Sequence, residues 1–213
     1  MGLFGKKLKQ EHKVMLQAER AGGELLTEYH RATPECPNPQ LWSMFDSMTA
    51  EAEVLEFLAT LVTTIKPNLI VETGAFLGVS AVWMARGLQR NGFGRIVSCE
   101  FDPKVFAKAQ EKVAESGLGE WIELRNASSL EMQVSGTIDL FFSDSDLEIR
   151  EQEIRRFLPQ ISPNGLILMH DAASQPGIVR EAALRMEAEG LISLVLLPTP
   201  RGLVVAQKRE GRK

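Results

Sequence analysis

Between residues 68 and 189 the sequence alternates short apolar runs with longer amphipathic runs. The short runs are rich in the β-branched and aromatic residues of buried strands, whereas the longer runs repeat their apolar residues at helical spacing. A helix that follows a strand returns the chain to the same edge of the sheet, so the next strand runs parallel to the first. The alternation therefore predicts a parallel sheet with helices on both of its faces.

The limits of the predicted elements follow from this pattern. Strands are expected at 68–73, 95–101, 121–125, 138–142 and 165–169. Helices are expected at 80–88, 103–115, 148–158 and 177–189. A further helix precedes the first strand, because apolar residues recur at helical spacing from Val54 to Ile65. Thr49 is its expected N-cap, and Pro67 lies just beyond its end.

The end of the chain departs from the alternation. Residues 191–197 and 202–207 both have the composition of strands, and only the segment 198–201 joins them. A connection this short leaves no room for a crossover helix, so the pair must be an antiparallel hairpin. The predicted fold is therefore α/β: a doubly wound sheet of seven strands, mostly parallel, with an antiparallel C-terminal hairpin.

The domain organisation follows from length and local composition. With 213 residues the chain is long enough for one domain and short for two. Residues 1–48 contain a charged, helix-prone segment and a proline-rich loop, so we expect an N-terminal appendage followed by the domain at 49–213. Trp42, Met44 and Phe45 close the appendage with adaptable apolar side chains. Two interpretations stay open: they line a substrate pocket as a lid, or they tie the appendage to the core.

Charge and cysteine content restrict the partners and the compartment. Lys and Arg number 24 against 28 Asp and Glu, so no excess of positive charge is present to bind nucleic acid or an anionic membrane. Cys36 and Cys99 have no neighbour at metal-ligand spacing and are interpreted as reduced thiols. No run has the roughly 18 apolar residues of a membrane span, and no apolar run follows the basic residues near Met1, so no signal peptide is expected. A cytoplasmic protein is expected.

The first two strands end in residues suited to a nucleotide-like ligand, and ligands of such sheets bind beyond the carboxyl ends of the strands. The first strand continues from Glu72 into a turn with Gly74 and Gly78 and reaches Ser80 in the next helix. The glycines permit a tight turn and a close approach to a ligand, although a turn that merely needs glycine has the same pattern. Glu100 ends the second strand, where a carboxylate can accept hydrogen bonds from both hydroxyls of a ribose.

The fourth and fifth strands end in titratable groups. Asp144 and Asp146 follow the fourth strand, and Asp146 is interpreted as a cap of the next helix. His170 and Asp171 follow the fifth strand, and His170 is a candidate because it shares this edge of the sheet with Asp144. With an ordinary pKa of about 6.5, the imidazole suits a general base. Asp144, His170 and Asp171 are therefore the expected catalytic residues.

Together these features resemble class I S-adenosylmethionine-dependent methyltransferases, which have a Rossmann-like sheet. The resemblance rests on the glycine turn, Glu100, Asn126-Ala-Ser128-Ser129, the Asp144 segment and the terminal hairpin. Residues 72–86 are similar to small-molecule O-methyltransferases of the catechol type, and 138–171 are similar to a bacterial group with His-Asp after its fifth strand. The likeness covers about residues 49–207.

The resemblance implies S-adenosylmethionine as cofactor and methyl transfer to a hydroxyl of a small aromatic or natural-product-like molecule. The cofactor-binding residues that it implies are Glu72, Gly74, Gly78, Ser80, Glu100, Ser128 and Asp144. The partner is then a small-molecule acceptor, and a homodimer is left open.

The match to metal-dependent relatives is incomplete. Those enzymes hold a metal with two aspartates and an asparagine, and they use a lysine as base. Asp144 and Asp171 match the aspartates, but Ala172 and Leu147 stand in place of the asparagine and the lysine. No metal ligand is therefore assigned. A divalent cation is less favoured than its absence, although Mg²⁺ needs only one or two carboxylates.

Two other functions are compatible with parts of the sequence. An S-adenosylmethionine-binding protein without catalysis agrees with the missing lysine and asparagine. An NAD-dependent oxidoreductase shares the glycine turn and the acid after the second strand, but it expects Gly-x-Gly-x-x-Gly, whereas this turn has only Gly74 and Gly78. The C-terminal hairpin also disfavours the oxidoreductase.

Overall fold

A computed structural model describes residues 42–43, 48–174 and 177–209 of the chain. Almost all of the predicted appendage, including Met44 and Phe45, lies outside the described residues, as does Cys36. Among the described residues, no helix is long and apolar enough to cross a membrane.

The strands and helices alternate as the sequence predicts. The strands are β1 Leu69–Thr73, β2 Arg95–Glu100, β3 Ile122–Asn126, β4 Ile138–Ser143, β5 Ile161–His170, β6 Ile192–Leu197 and β7 Leu203–Lys208. The α-helices are α1 Ala52–Ile65, α2 Val79–Asn91, α3 Pro103–Glu115, α4 Arg150–Phe157 and α5 Ile178–Ala188. Short 3₁₀ helices at Gly119–Trp121 and Leu158–Gln160 precede β3 and β5.

The strands form one sheet in the order β3-β2-β1-β4-β5-β7-β6. Strands β1 to β5 are parallel to their neighbours, whereas β7 is antiparallel to both β5 and β6. This confirms the predicted doubly wound α/β sheet with its antiparallel hairpin. The strand order switches sides at β1, which has β2 on one side and β4 on the other, and the crevice at such a switch point is where a ligand is expected.

Helices bury both faces of the sheet. On one face, Leu55 and Leu58 of α1 and Met84 of α2 pack over the strands. On the other face, Phe157 of α4 and Met186 of α5 do the same. All five residues of β1 are buried, since neighbouring positions of a central strand point into opposite cores. This explains why the strand sequences are continuous apolar runs.

Several element boundaries differ from the predicted ones, by one to four residues. Helix α1 begins at Ala52 instead of at a Thr49 cap, and Glu51 stands at its N-cap without a side-chain bond to the helix. Strand β5 begins at Ile161, four residues before the predicted start, because Ile161 pairs with Ile138 ahead of a register shift. None of these differences changes the topology.

Gly74 connects the ends of three strands. Its N–H donates to the carbonyl of Cys99 at 3.0 Å, while the N–H of Asp144 donates to the carbonyl of Thr73 at 2.9 Å. Gly74 has a φ of +81°, and a Cβ at this position would lie 2.6 Å from the backbone nitrogen of Ser145. A side chain is therefore excluded both by the conformation and by the neighbouring backbone.

Gly74→Ala should destabilise the chain by about 3 kcal/mol or more, because the turn and the β4 end must separate to admit a methyl group. Gly92→Ala is the matched control. Gly92 has a φ of +76° but nothing within 4 Å of an added Cβ, so only the conformational cost of about 1 kcal/mol applies. Chemical denaturation of both variants measures the difference. Equal losses of unfolding free energy would contradict the packing argument.

Candidate functional site

A cavity of about 680 Å³ opens at the carboxyl edge of the sheet. Its walls come from the glycine turn, the residues that follow β2, β3 and β4, and the turn between β6 and β7. The volume lies within the range of about 300–1,000 Å³ that small-molecule sites have. The cavity therefore lies where the topology places a ligand.

Glu100 provides a fixed carboxylate on one side of the cavity. Its Oε2 accepts the N–H of Phe76 at 2.9 Å, and its Oε1 accepts the N–H of Asp102 at 2.9 Å. A carboxylate has about four lone-pair sites, so acceptor capacity remains for two ligand hydroxyls. Phe101 lies beside it on the cavity wall and is 76% exposed, and Ser128 lines the same wall. This side presents a diol acceptor next to an open aromatic ring.

Glu72 lies beneath the glycine turn and does not line the cavity. The hydroxyl of Ser80 donates to one of its carboxylate oxygens, and the hydroxyl of Ser98 donates to the other. Burial raises the pKa of Glu72 to about 7, although these two hydrogen bonds act in the opposite direction. Glu72 thus links the start of α2 to β2. Because Glu72 does not reach the cavity, the structure does not support its predicted contact with the cofactor, whereas Ser80 does line the cavity.

The structure brings together Asp144, His170 and Asp171, as the strand ends predict. The Nδ1 atom of His170 lies 3.1 Å from Oδ1 of Asp144 and 3.6 Å from Oδ1 of Asp171. Asp171 has a φ of +60°, a left-handed conformation that aspartate tolerates better than most residues. Asp146 accepts the N–H of Glu148 at 3.3 Å in the turn before α4, but the N-cap of α4 is Ile149, so the predicted helix cap at Asp146 is wrong.

His170 is buried and bonded through both ring nitrogens. Its Nε2 lies 2.7 Å from Oε2 of Glu51, opposite the contact of Nδ1 with Asp144, and both His170 and Glu51 are fully buried. Burial alone would lower the pKa of His170, but the charges of Asp144 and Glu51 outweigh it and raise the pKa to about 10. His170 therefore lacks the neutral-range pKa expected from the sequence. A doubly protonated ring that donates to two carboxylates cannot accept a proton as a general base.

Sequence reasoning did not identify two arginines at this site. Arg150 of α4 is 2% exposed, and its Nη2 lies 3.3 Å from Asp144 and 3.0 Å from Asp171. Arg201 of the hairpin turn donates through Nε to Oδ1 of Asp171 at 2.6 Å, and its backbone N–H donates to Glu51 at 2.8 Å. The one hint in the sequence is that carboxylates gathered at one edge of a sheet need cations nearby.

The cluster is balanced in charge. Three carboxylates, of Glu51, Asp144 and Asp171, face three cations, of His170, Arg150 and Arg201. Burial would raise the pKa of Asp171, but His170, Arg201 and Arg150 lower it well below its usual range.

The balance leaves one carboxylate oxygen for a ligand. Both oxygens of Glu51 and both of Asp171 accept hydrogen bonds, whereas Oδ2 of Asp144 has no partner among the described residues. The Asp144 side chain is 13% exposed and lines the cavity. Oδ2 of Asp144 is therefore the acceptor that this cluster offers to a ligand.

We expect His170 to keep its charge across neutral pH. The chain has three histidines, so replacing His12 and His30 by Gln leaves His170 as the single imidazole. In ¹⁵N NMR, both ring nitrogens should stay protonated between about pH 5.5 and 8.5, because the two carboxylates hold the pKa above this range. A midpoint near the ordinary value of a histidine would contradict the charge assignment.

Comparisons with known proteins show similarity to methyltransferases. A methyltransferase-domain family model matches residues 71–172, which run from β1 to just beyond β5. A catechol O-methyltransferase from Niastella koreensis is 26% identical over 141 residues, and the match covers 63% of this chain and 63% of that protein. The chain thus spans less than two thirds of that relative's length.

Two solved structures have the same fold. A methyltransferase from Podospora anserina with bound S-adenosylhomocysteine has a TM-score of 0.69 and 18% identity, over 95% of this chain and 88% of that chain. The O-methyltransferase TomG from Streptomyces achromogenes, involved in tomaymycin synthesis and solved with S-adenosylmethionine, has a TM-score of 0.65 and 19% identity, over 76% and 82%. Together with the sheet order and the strand-end residues, the family match and the relatives confirm the resemblance. The chain resembles class I S-adenosylmethionine-dependent methyltransferases, and catechol O-methyltransferases are among its relatives.

Proposed function

We propose that this chain transfers a methyl group from S-adenosylmethionine to a hydroxyl of a small, aromatic or natural-product-like molecule. The observation that carries the proposal is one cavity that holds the fixed carboxylate of Glu100 on one side and the open oxygen of Asp144 on the other. The first suits a ribose, and the second suits a reacting hydroxyl. The names of the relatives, a catechol O-methyltransferase among them, support the same reaction.

The cofactor half of the cavity matches the parts of S-adenosylmethionine. Glu100 would accept hydrogen bonds from the two ribose hydroxyls, and Phe101 and Ser128 would lie beside the adenine. Helix α2 begins directly after Gly78, so its first N–H groups would face the methionine carboxylate, while the Ser80 hydroxyl beside them donates to Glu72. The glycine turn lets the backbone approach the ligand there.

When bound, S-adenosylmethionine would supply a methyl group on a positively charged sulfonium for in-line transfer to an acceptor oxygen, with S-adenosylhomocysteine as the leaving group. The protein must then orient the acceptor and take its proton. Oδ2 of Asp144 is placed to accept this proton, because Oδ1 is held by His170 and Arg150. His170 and Asp171 would serve Asp144 by fixing its position and charge, instead of acting as the base.

The acceptor would occupy the part of the cavity near the hairpin turn. Met48, Leu147 and Ile149 supply apolar walls there, and Arg201 supplies the polar edge. Apolar walls with a few placed polar groups are typical of sites for small aromatic ligands. The lysine base of catechol-type relatives has no equivalent, since Leu147 stands at its position.

Several expectations stay predictions. The role of residues 1–48 as a lid is one, although Met48 and Thr49 line the cavity. The cytoplasmic location, the homodimer and the lack of a nucleic-acid partner are others.

Glu100→Ala should weaken S-adenosylmethionine binding by about ten-fold or more, because two hydroxyls lose a charged acceptor worth about 1.5–3 kcal/mol. Glu123→Ala is a control of equal charge on the neighbouring strand β3, where the side chain pairs with Arg95 and Arg125 instead of facing the cavity. Isothermal titration calorimetry measures both variants. Unchanged affinity in Glu100→Ala, or tight binding of NAD, would refute the cofactor assignment.

Asp144→Asn should lower turnover by about a hundred-fold or more with a panel of catechols and other phenols, because the base is lost. Cofactor affinity of the same variant, measured by calorimetry, tests separately the predicted contact of Asp144 with the cofactor. Asp146→Asn, two residues along, is the control and should keep its activity. Full turnover in Asp144→Asn would exclude Asp144 as the base. Cofactor binding without turnover of any acceptor, in the wild-type chain, would favour the non-catalytic alternative.

A further inference from the structure

The strand-end residues invite comparison with a metal site. One ligand atom each from Asp144, His170 and Asp171 can be chosen so that all lie within 4.8 Å of one another. The two aspartates are also those that match the metal ligands of metal-dependent catechol-type enzymes. Whether the residues fit a divalent cation depends on what their ligand atoms already contact.

The guanidinium of Arg150 already joins the two aspartates. Its Nη2 lies 3.3 Å from Oδ1 of Asp144 and 3.0 Å from Oδ2 of Asp171. The same group is anchored to the backbone: Nε donates to the carbonyl of Ser145 at 2.8 Å, and Nη1 donates to the carbonyl of His170. Since the side chain is 2% exposed, moving it would leave these carbonyls and a charge buried without partners.

The other ligand atoms are engaged as well. Oδ1 of Asp171 accepts from Nε of Arg201 at 2.6 Å. Both ring nitrogens of His170 lie against carboxylate oxygens, those of Glu51 and Asp144, so neither nitrogen is open to a metal. A cation between the aspartates would thus meet two guanidinium groups and one open oxygen. The residues do not fit a divalent cation, which needs several oxygen ligands.

We propose that the guanidinium of Arg150, supported by Arg201, takes the place that a divalent cation has in metal-dependent relatives. Arg150 is then a positioning residue: it holds Asp144 and Asp171 at the cavity and neutralises them without a metal. A guanidinium suits this task because its planar donors are fixed in a fork and it stays charged. The inference deepens the proposed function, and it rests on that function for the role of Asp144.

Mn²⁺ binding to the full chain, followed by electron paramagnetic resonance, tests the inference. The wild-type chain should have no Mn²⁺ site at the two aspartates with a dissociation constant below about 1 mM. A site counts as one at the aspartates if Asp144→Asn abolishes it. Arg150→Met removes the charge and keeps much of the volume. It should raise Mn²⁺ affinity at least ten-fold, and the double variant Arg150→Met with Asp144→Asn should lose this gain. If Arg150 only stabilised the fold, Arg150→Met would not gain affinity for Mn²⁺.

Two results would overturn the inference: a wild-type Mn²⁺ site that depends on Asp144, or no gain of affinity in folded Arg150→Met. Circular dichroism checks the fold. If Arg150→Met does not fold, the wild-type titration still decides, because it needs no change at Arg150.

Calorimetry with S-adenosylmethionine in EDTA separates this inference from the proposed function. Failure to bind the cofactor refutes the proposed function, whereas binding together with a wild-type Mn²⁺ site refutes only the role of Arg150.

Discussion

The pairing of buried charges at the carboxyl edge of the sheet is the interaction on which the cavity depends. The paired groups come from the start of α1, the end of β4, α4, the end of β5 and the hairpin turn: Glu51, Asp144, Arg150, His170, Asp171 and Arg201. Each charge would be costly to bury alone, so the set is stable only when all the elements are in place. The same pairing that joins these elements leaves one oxygen of Asp144 to a ligand.

The topology and the cavity's position could be predicted from the sequence because both follow from local patterns. The alternation of apolar runs fixes where each strand ends, and the short link before Gly202 requires an antiparallel hairpin. Once the strand ends are known, parallel strands bring Gly74, Glu100 and Asp144 to the same edge. Gly74 in the turn indicates this edge because the turn lies so close to the end of β4 that a side chain is excluded.

The charge state of the site could not be predicted in this way. His170 and Glu51 are 119 residues apart, and Arg201 and Glu51 are 150 residues apart, so no local pattern signals their contacts. Glu51 lies two residues after the expected N-cap Thr49, and Arg150 lies within the predicted helix 148–158; charged residues at such positions are usually exposed. The charges of Asp144 and Glu51 raise the pKa of His170 despite its burial and change its role from an expected base to a fixed cation. The strand ends therefore indicate which residues lie at the site, whereas contacts between distant elements determine their charge states and roles.

A crystal structure of the full chain with S-adenosylhomocysteine, grown in Mn²⁺ and measured at the manganese absorption edge, tests the central claim most directly. The account predicts both ribose hydroxyls on Glu100, the guanidinium of Arg150 between Asp144 and Asp171, and no anomalous peak at the two aspartates. A manganese ion between them with Arg150 displaced, or a cofactor bound away from Glu100, would contradict it.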